Sequence, residues 1–174
     1  MIKKVITLFI LVIWPAAVFS QPAVFAGGSF WAMEALFSQQ RGVNKVTMGW
    51  MLDKAQRPTR QVVQLDYDPE VVSYGELLTW YWSVIDSTDS QGQYCDRGRE
   101  YSPAIYVEGP LQQRWAQQSR AQLALELKRR PLVPILPMSK FKAAPARHQN
   151  YAVQHPVLYG LYRHYCGYRS LSIS

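Results

Sequence analysis

The stretch PAVFAGGSFWAMEALF, from Pro22 to Phe37, limits the fold more than any other part of the chain. Ala23 to Phe25 is a short β-rich run, Gly27 and Gly28 supply a turn, and Trp31, Met33, Leu36 and Phe37 recur at helical spacing. A strand therefore passes almost directly into a helix, with Ser29 at the junction. A residue placed there faces the unpaired backbone N–H groups of a helix start. The ordinary role of a serine at such a place is an N-cap. The same place suits a reactive side chain.

The rest of the chain continues this alternation. Asn44 to Trp50 reads as a strand, and Gln61 to Tyr67 (QVVQLDY) alternates as a second, joined to the first by the short link MLDKAQRPTR. Val72 to Glu76 opens a helix: Ser73 and Glu76 have capping-box spacing, and Leu77, Leu78, Tyr81 and Ile85 share one face. Asp86 to Gly98 is polar and reads as a loop, and Ala104 to Val107 as a strand. Pro110 starts a long helix ending near Arg130, and the VPIL run between Pro131 and Pro137 is an edge strand because of its prolines. From Ala143 onward a short helix and an aromatic tail are expected. The order, roughly βαββαβαβ, predicts an α+β fold: a single domain, with one mixed sheet and flanking helices. The 174 residues suffice for one core, without internal repeats or a long linker.

The first twenty residues have a different character. MIKK is basic, VITLFILVIWPAAVF is apolar, and Val18-Phe19-Ser20 resembles a small-residue cleavage site. Residues 1–20 are expected to be a signal peptide, with Gln21 the mature N-terminus, a domain over 21–174, and export to the periplasm or medium. The alternative is an uncleaved anchor, but Pro15 interrupts the run, which falls short of the ~20 apolar residues of a spanning helix. No stable membrane insertion is expected after cleavage. Loss of Lys3 and Lys4 lowers the formal charge from +7 to +5. The basic residues are scattered and not interleaved with aromatics, so nucleic-acid binding is not expected. Cys95 and Cys166 are free to pair in an oxidising compartment, a matter of distance that sequence leaves open. The histidines and cysteines show no metal-ligand spacing.

Four segments in order carry a resemblance: AGGSFW, YDPEVVSYGELLTWYW, GQYCDRGREYSPAIY, and HQNY followed by the aromatic tail and CGYRSL. Together they make the chain similar to methionine sulfoxide reductase A over nearly all of residues 23–171. The resemblance implies a ferredoxin-like core and thiol-dependent reduction of peptide methionine (S)-sulfoxide to methionine, a protein-repair reaction. It implies oxidised methionine in peptides or proteins as partner, a thioredoxin-like reductant where active, and no cofactor. In that family a cysteine attacks the sulfoxide sulfur and becomes a sulfenic acid. A phenylalanine and a tryptophan form the methyl pocket, a glutamate donates a proton, and tyrosines and an aspartate hold the oxygen. By position the pocket aromatics are Phe30 and Trp31, and the loop aspartate and tyrosine are Asp96 and Tyr101.

Four departures bear on chemistry. Ser29 stands at the nucleophile position, Gln61 at the acid position counted back from Tyr67-Asp68-Pro69, and Trp50 replaces a tyrosine after Gly49 where most of a glycine-rich loop is absent. The glutamate that usually precedes the HQ motif is also missing, the stretch reading APARHQ. A helix start lowers a thiol's pKa, whereas a serine hydroxyl needs an adjacent base. Sulfur can be oxidised to sulfenic acid, and serine oxygen has no such step. Together these changes fit natural divergence better than one designed replacement. The expectation is a methionine-sulfoxide-binding or reduced-activity homologue, a pseudoenzyme, with Trp50 added to the binding residues. One alternative is an active reductase using Cys95 as displaced nucleophile and Cys166 to resolve it. The other is a scaffold in which Phe30 and Trp31 are core, Cys95 is a surface thiol or half of a disulfide, and Cys166 lies in an aromatic cluster.

Overall fold

The computed structural model describes residues 22–167. The leader expected over residues 1–20, and both ends of the expected domain, lie outside the described residues.

In chain order the elements are β1 (Ala23–Ala26), α1 (Phe30–Phe37), β2 (Val43–Leu52), β3 (Pro58–Tyr67), α2 (Tyr74–Val84), β4 (Gly92–Gln93), β5 (Asp96–Arg97), β6 (Ala104–Val107), α3 (Gly109–Leu127), β7 (Ile135–Pro137), β8 (Phe141–Ala143), α4 (Tyr151–Gln154) and α5 (Pro156–Cys166). Short 3₁₀ turns cover Arg99–Tyr101 and Ala146–His148. Six strands form one sheet in the order β7-β6-β1-β3-β2-β8. Its middle four are antiparallel and, with α1 and α2, make the ferredoxin-like core. β7 adds to β6 in parallel, and β8 adds to β2 antiparallel, so the sheet is mixed as expected.

The run AVFA is apolar throughout because β1 is covered on both faces. Ala23 and Phe25 point into the core beneath the helices, with Met33, Phe37, Leu77, Leu78 and Tyr81. Val24 and Ala26 point the other way, onto Met51, Val62, Ala104 and Tyr106. Phe25 stacks on Phe37 and Tyr81 at 5.4 and 5.0 Å. The Tyr81 hydroxyl donates to the Ala26 carbonyl at 2.8 Å, fixing the end of β1 just before the glycine turn.

Ser73 and Glu76 form the expected capping box of α2. Elsewhere the boundaries differ for local reasons. Strands β2 and β3 run into the predicted link and leave 53–57 as the turn, where the Asp53 carboxylate accepts the Arg57 backbone N–H at 2.9 Å. The predicted loop Asp86–Gly98 contains the two-stranded β4–β5 ladder. Helix α3 stops at Leu127, earlier than Arg130, because Lys128 turns left-handed with φ 51°. The sequence reading lacked β8, which docks because residue 49 has no side chain: a Cβ there would sit 2.5 Å from the Phe141 ring. The tail holds two helices rather than one.

Candidate functional site

The site is built on the start of α1. Gly28 takes φ 83°, and its N–H donates to the Tyr101 carbonyl at 3.0 Å, so the glycine turn is tied to the loop that follows β5. Ser29 then caps α1 from extended backbone, and its Oγ accepts the Trp31 N–H at 3.3 Å. The residue is only 4% exposed. The next donors are satisfied from other elements. The Ser29 N–H donates to Asp96 Oδ2 at 3.3 Å, and the Phe30 N–H donates to Gln61 Oε1 at 3.2 Å. A carboxylate and an amide oxygen thus meet the positive end of the helix. Asp96 Oδ2 also accepts the hydroxyl of Tyr162 from α5.

Tyr101 lies beside this pair. Burial, with the charges of Glu100 and Asp96, pushes its phenol up, and a hydrogen bond with the Gln61 side chain partly offsets this. Tyr101 therefore keeps its proton at neutral pH and can donate it in a hydrogen bond.

An aromatic group borders the same helix start. Phe30 lies 5.5 Å from Trp50, 6.0 Å from Trp31 and 5.8 Å from His148, between ring centroids. Trp31 stacks on Tyr151 at 4.0 Å with 13° between planes. Trp31 Nε1 and His148 Nδ1 are buried and lack a hydrogen-bond partner among the described residues.

Two side chains hold this arrangement together. The Glu34 carboxylate, on a residue 3% exposed, accepts the Asn150 and Tyr151 N–H groups at 2.7 and 3.1 Å. Burial pushes its carboxyl up, while these two bonds favour the charged form. Gln149 acts as a strand neighbour to β2, with Oε1 accepting the Met48 N–H and Nε2 donating to the Met48 and Ala144 carbonyls, each at 2.9 Å. The HQNY segment is thereby clamped between α1 and the sheet.

Cys95 and Cys166 are joined in a disulfide with 5.1 Å between Cα atoms. The distance that sequence left open is short enough. A free surface thiol at 95 and an unpaired cysteine at 166 are both set aside. The bond ties the residue before Asp96 to the last residue of α5.

The family model for peptide methionine sulfoxide reductase matches residues 21–172. The chain belongs to the peptide methionine sulfoxide reductase family. A peptide methionine sulfoxide reductase MsrA 2 from Caulobacter vibrioides is 38% identical over 164 residues, covering 87% of this chain and 83% of that protein. The MsrA of Bacillus licheniformis is 37% identical over 154 residues, covering 81% and 85%. Mxr1 from Saccharomyces cerevisiae, in its reduced form, shares the fold with a TM-score of 0.73 at 18% identity, over 79% of this chain and 86% of that one.

The fold of this reductase-family chain gathers the residues singled out from sequence. Ser29, Gln61, Asp96 and Tyr101 meet at the α1 start, with Phe30, Trp31 and Trp50 alongside. Cys95 and Cys166 lie at the edge, through Asp96 and Tyr162. No histidine is near Ser29 in sequence, but folding brings His148 onto Phe30. Sequence reasoning missed Glu34, Tyr151 and Tyr162. HQNY was visible as a motif without its contacts, Glu34 read only as a helix residue, and Tyr162 was hidden in an aromatic tail.

Proposed function

We propose that this member of the reductase family binds methionine sulfoxide side chains in peptides, and that Ser29 and Gln61 do not perform the nucleophilic and acid steps. One observation carries the reading: Ser29 Oγ is buried as the cap of α1, accepting the Trp31 N–H, with the aromatic group and Tyr101 around it. The apolar rings of Phe30, Trp31 and Trp50 suit the S-methyl group. The Tyr101 hydroxyl and an Asp96-held water suit the sulfoxide oxygen, a stronger acceptor than a thioether sulfur. Reduction would require the atom at position 29 to take up an oxidation that serine oxygen does not undergo. Gln61 can hydrogen-bond but has no carboxyl proton to give.

Calorimetry with a methionine sulfoxide peptide and its methionine counterpart tests this. The sulfoxide peptide is expected to bind at least several-fold more tightly, and weakly in absolute terms because one side chain buries little area. Equal binding, or none, with the Cys95–Cys166 bond both intact and reduced supports the scaffold reading instead.

A second reading is favoured by the disulfide itself. Cys95 thiolate attacks the sulfoxide sulfur, Tyr101 or water gives a proton to the sulfoxide oxygen, and Cys95 ends as a sulfenic acid carrying that oxygen while the thioether leaves. Cys166 then attacks the sulfenic sulfur, water leaves, and the Cys95–Cys166 bond is the oxidised product. A thioredoxin-like dithiol would return both to thiols. Reductase activity with a strong dithiol, abolished by Cys95→Ser, would establish this reading over the first.

We also propose export with cleavage after Ser20, supported by the MIKK start and the short apolar run. N-terminal sequencing of protein from its host tests it. An intact Met1 on cytoplasmic protein overturns it.

A further inference from the structure

We propose that the Cys95–Cys166 disulfide is a reductant-released latch: while intact it holds α5 with Tyr162 on Asp96 and closes that side of the site, and its reduction frees the helix and opens Asp96 to ligand. The inference rests on the sulfoxide-binding reading for what enters the opened site.

Among the described residues the attachment of α5 is narrow. Tyr159 is its one buried residue, Tyr162 donates its hydroxyl to Asp96, and Cys166 is bonded to Cys95. These positions follow one another at spacings of three and four, on one face of the helix. The other side is bare: Val157, Leu158, Leu161 and Tyr165 are 50–82% exposed. An eleven-residue helix does not persist alone in water. The covalent bond, linking residues 71 apart, therefore supplies much of what keeps α5 seated.

Seating α5 has a direct consequence for the site. A phenol has one proton, and Tyr162 directs it to Asp96 Oδ2, the oxygen that also accepts the Ser29 N–H. That oxygen is then closed to a water or ligand group. Cys95 is exposed and immediately precedes Asp96, so a reductant reaches the bond at the very loop it controls.

The step balances with a dithiol reductant. One of its thiolates attacks a sulfur of the Cys95–Cys166 bond and forms a mixed disulfide, releasing the other cysteine as a thiolate that takes a proton. The second reductant thiol then closes its own disulfide and frees the remaining cysteine. Two electrons and two protons pass to Cys95 and Cys166, and the reductant is oxidised by the same two electrons.

The test follows backbone hydrogen exchange and methionine sulfoxide peptide binding in the full mature chain, with and without dithiothreitol, and in Cys95→Ser/Cys166→Ser without reductant. Amides of residues 157–166 are expected to exchange at least tenfold faster after reduction and in the double variant, with β1, β3 and α2 unchanged. Peptide affinity is expected to rise about tenfold in the same two states. Release of α5 without peptide binding in any state upholds the latch and removes the sulfoxide-binding reading. Unchanged exchange in α5, or binding that ignores or weakens with reductant, overturns the latch. The reduced wild-type chain decides the matter even where the double variant fails to fold.

Discussion

Gln61 Oε1 accepts the Phe30 backbone N–H at 3.2 Å, so the side chain proposed for the acid position helps cap α1 and does not stand free in the site. A glutamate of the same length can make this bond and also carry a proton. Ser29→Cys alone is expected to restore slow sulfoxide reduction, with Tyr101 or water as proton source. Ser29→Cys with Gln61→Glu is expected to be faster by about 10²–10⁴, the usual worth of a placed general acid. Single-turnover assays of both variants measure this. Equal rates would show that Gln61 does not occupy the acid position.

Glu34 makes the chain's pH dependence informative. Its carboxyl is raised above the ordinary 4.5 by burial, so the folded state holds the proton at pH values where the unfolded state has lost it. As pH rises from about 4.5 through the folded value, this group costs stability. Glu34→Gln removes that titration but loses one of the two acceptors for Asn150 and Tyr151. The stability of the wild type minus that of the variant is therefore expected to fall with rising pH across this window. Urea denaturation of both proteins between pH 4 and 7 gives the difference, and a rising difference would contradict the sign.

Tyr81→Phe removes the hydroxyl that the buried Ala26 carbonyl depends on at 2.8 Å. The expected cost is about 1–3 kcal/mol, that of leaving a buried acceptor unpaired. Equilibrium denaturation reads it. Since Ala26 precedes the glycine turn, sulfoxide-peptide binding is expected to weaken as well.

Gly49→Ala places a methyl group against the Phe141 ring and the Lys142 carbonyl. The expected cost is about 1–3 kcal/mol from overpacking, with β8 displaced from β2. The Ala144 N–H, which donates to the Met48 carbonyl at 2.8 Å, shifts with β8 and carries the HQNY segment with it. Hydrogen exchange is expected to show Ala144 and Gln149 losing protection before β1 and β3 do.

The sequence by itself determined the strand, glycine turn and helix around Ser29, the capping box at Ser73 and Glu76, the edge character of β7, and the family. Each of these is written in neighbouring residues: a period, a turn dipeptide, a cap three positions from its partner, or a motif. It also marked Gln61, Asp96 and Tyr101 as candidates, because their motifs are local. Only the tertiary structure decided that Gln61 and Asp96 meet adjacent N–H groups of α1, that Glu34 clamps residues 116 and 117 positions away, and that Cys95 bonds to Cys166. The same holds for β8, whose three residues have too little pattern to read and whose pairing rests on the absent side chain of Gly49. The physical reason is common to all of these. A hydrogen bond or disulfide acts over about 2–3 Å, so its partners are set by where packing brings the chain and not by spacing along it.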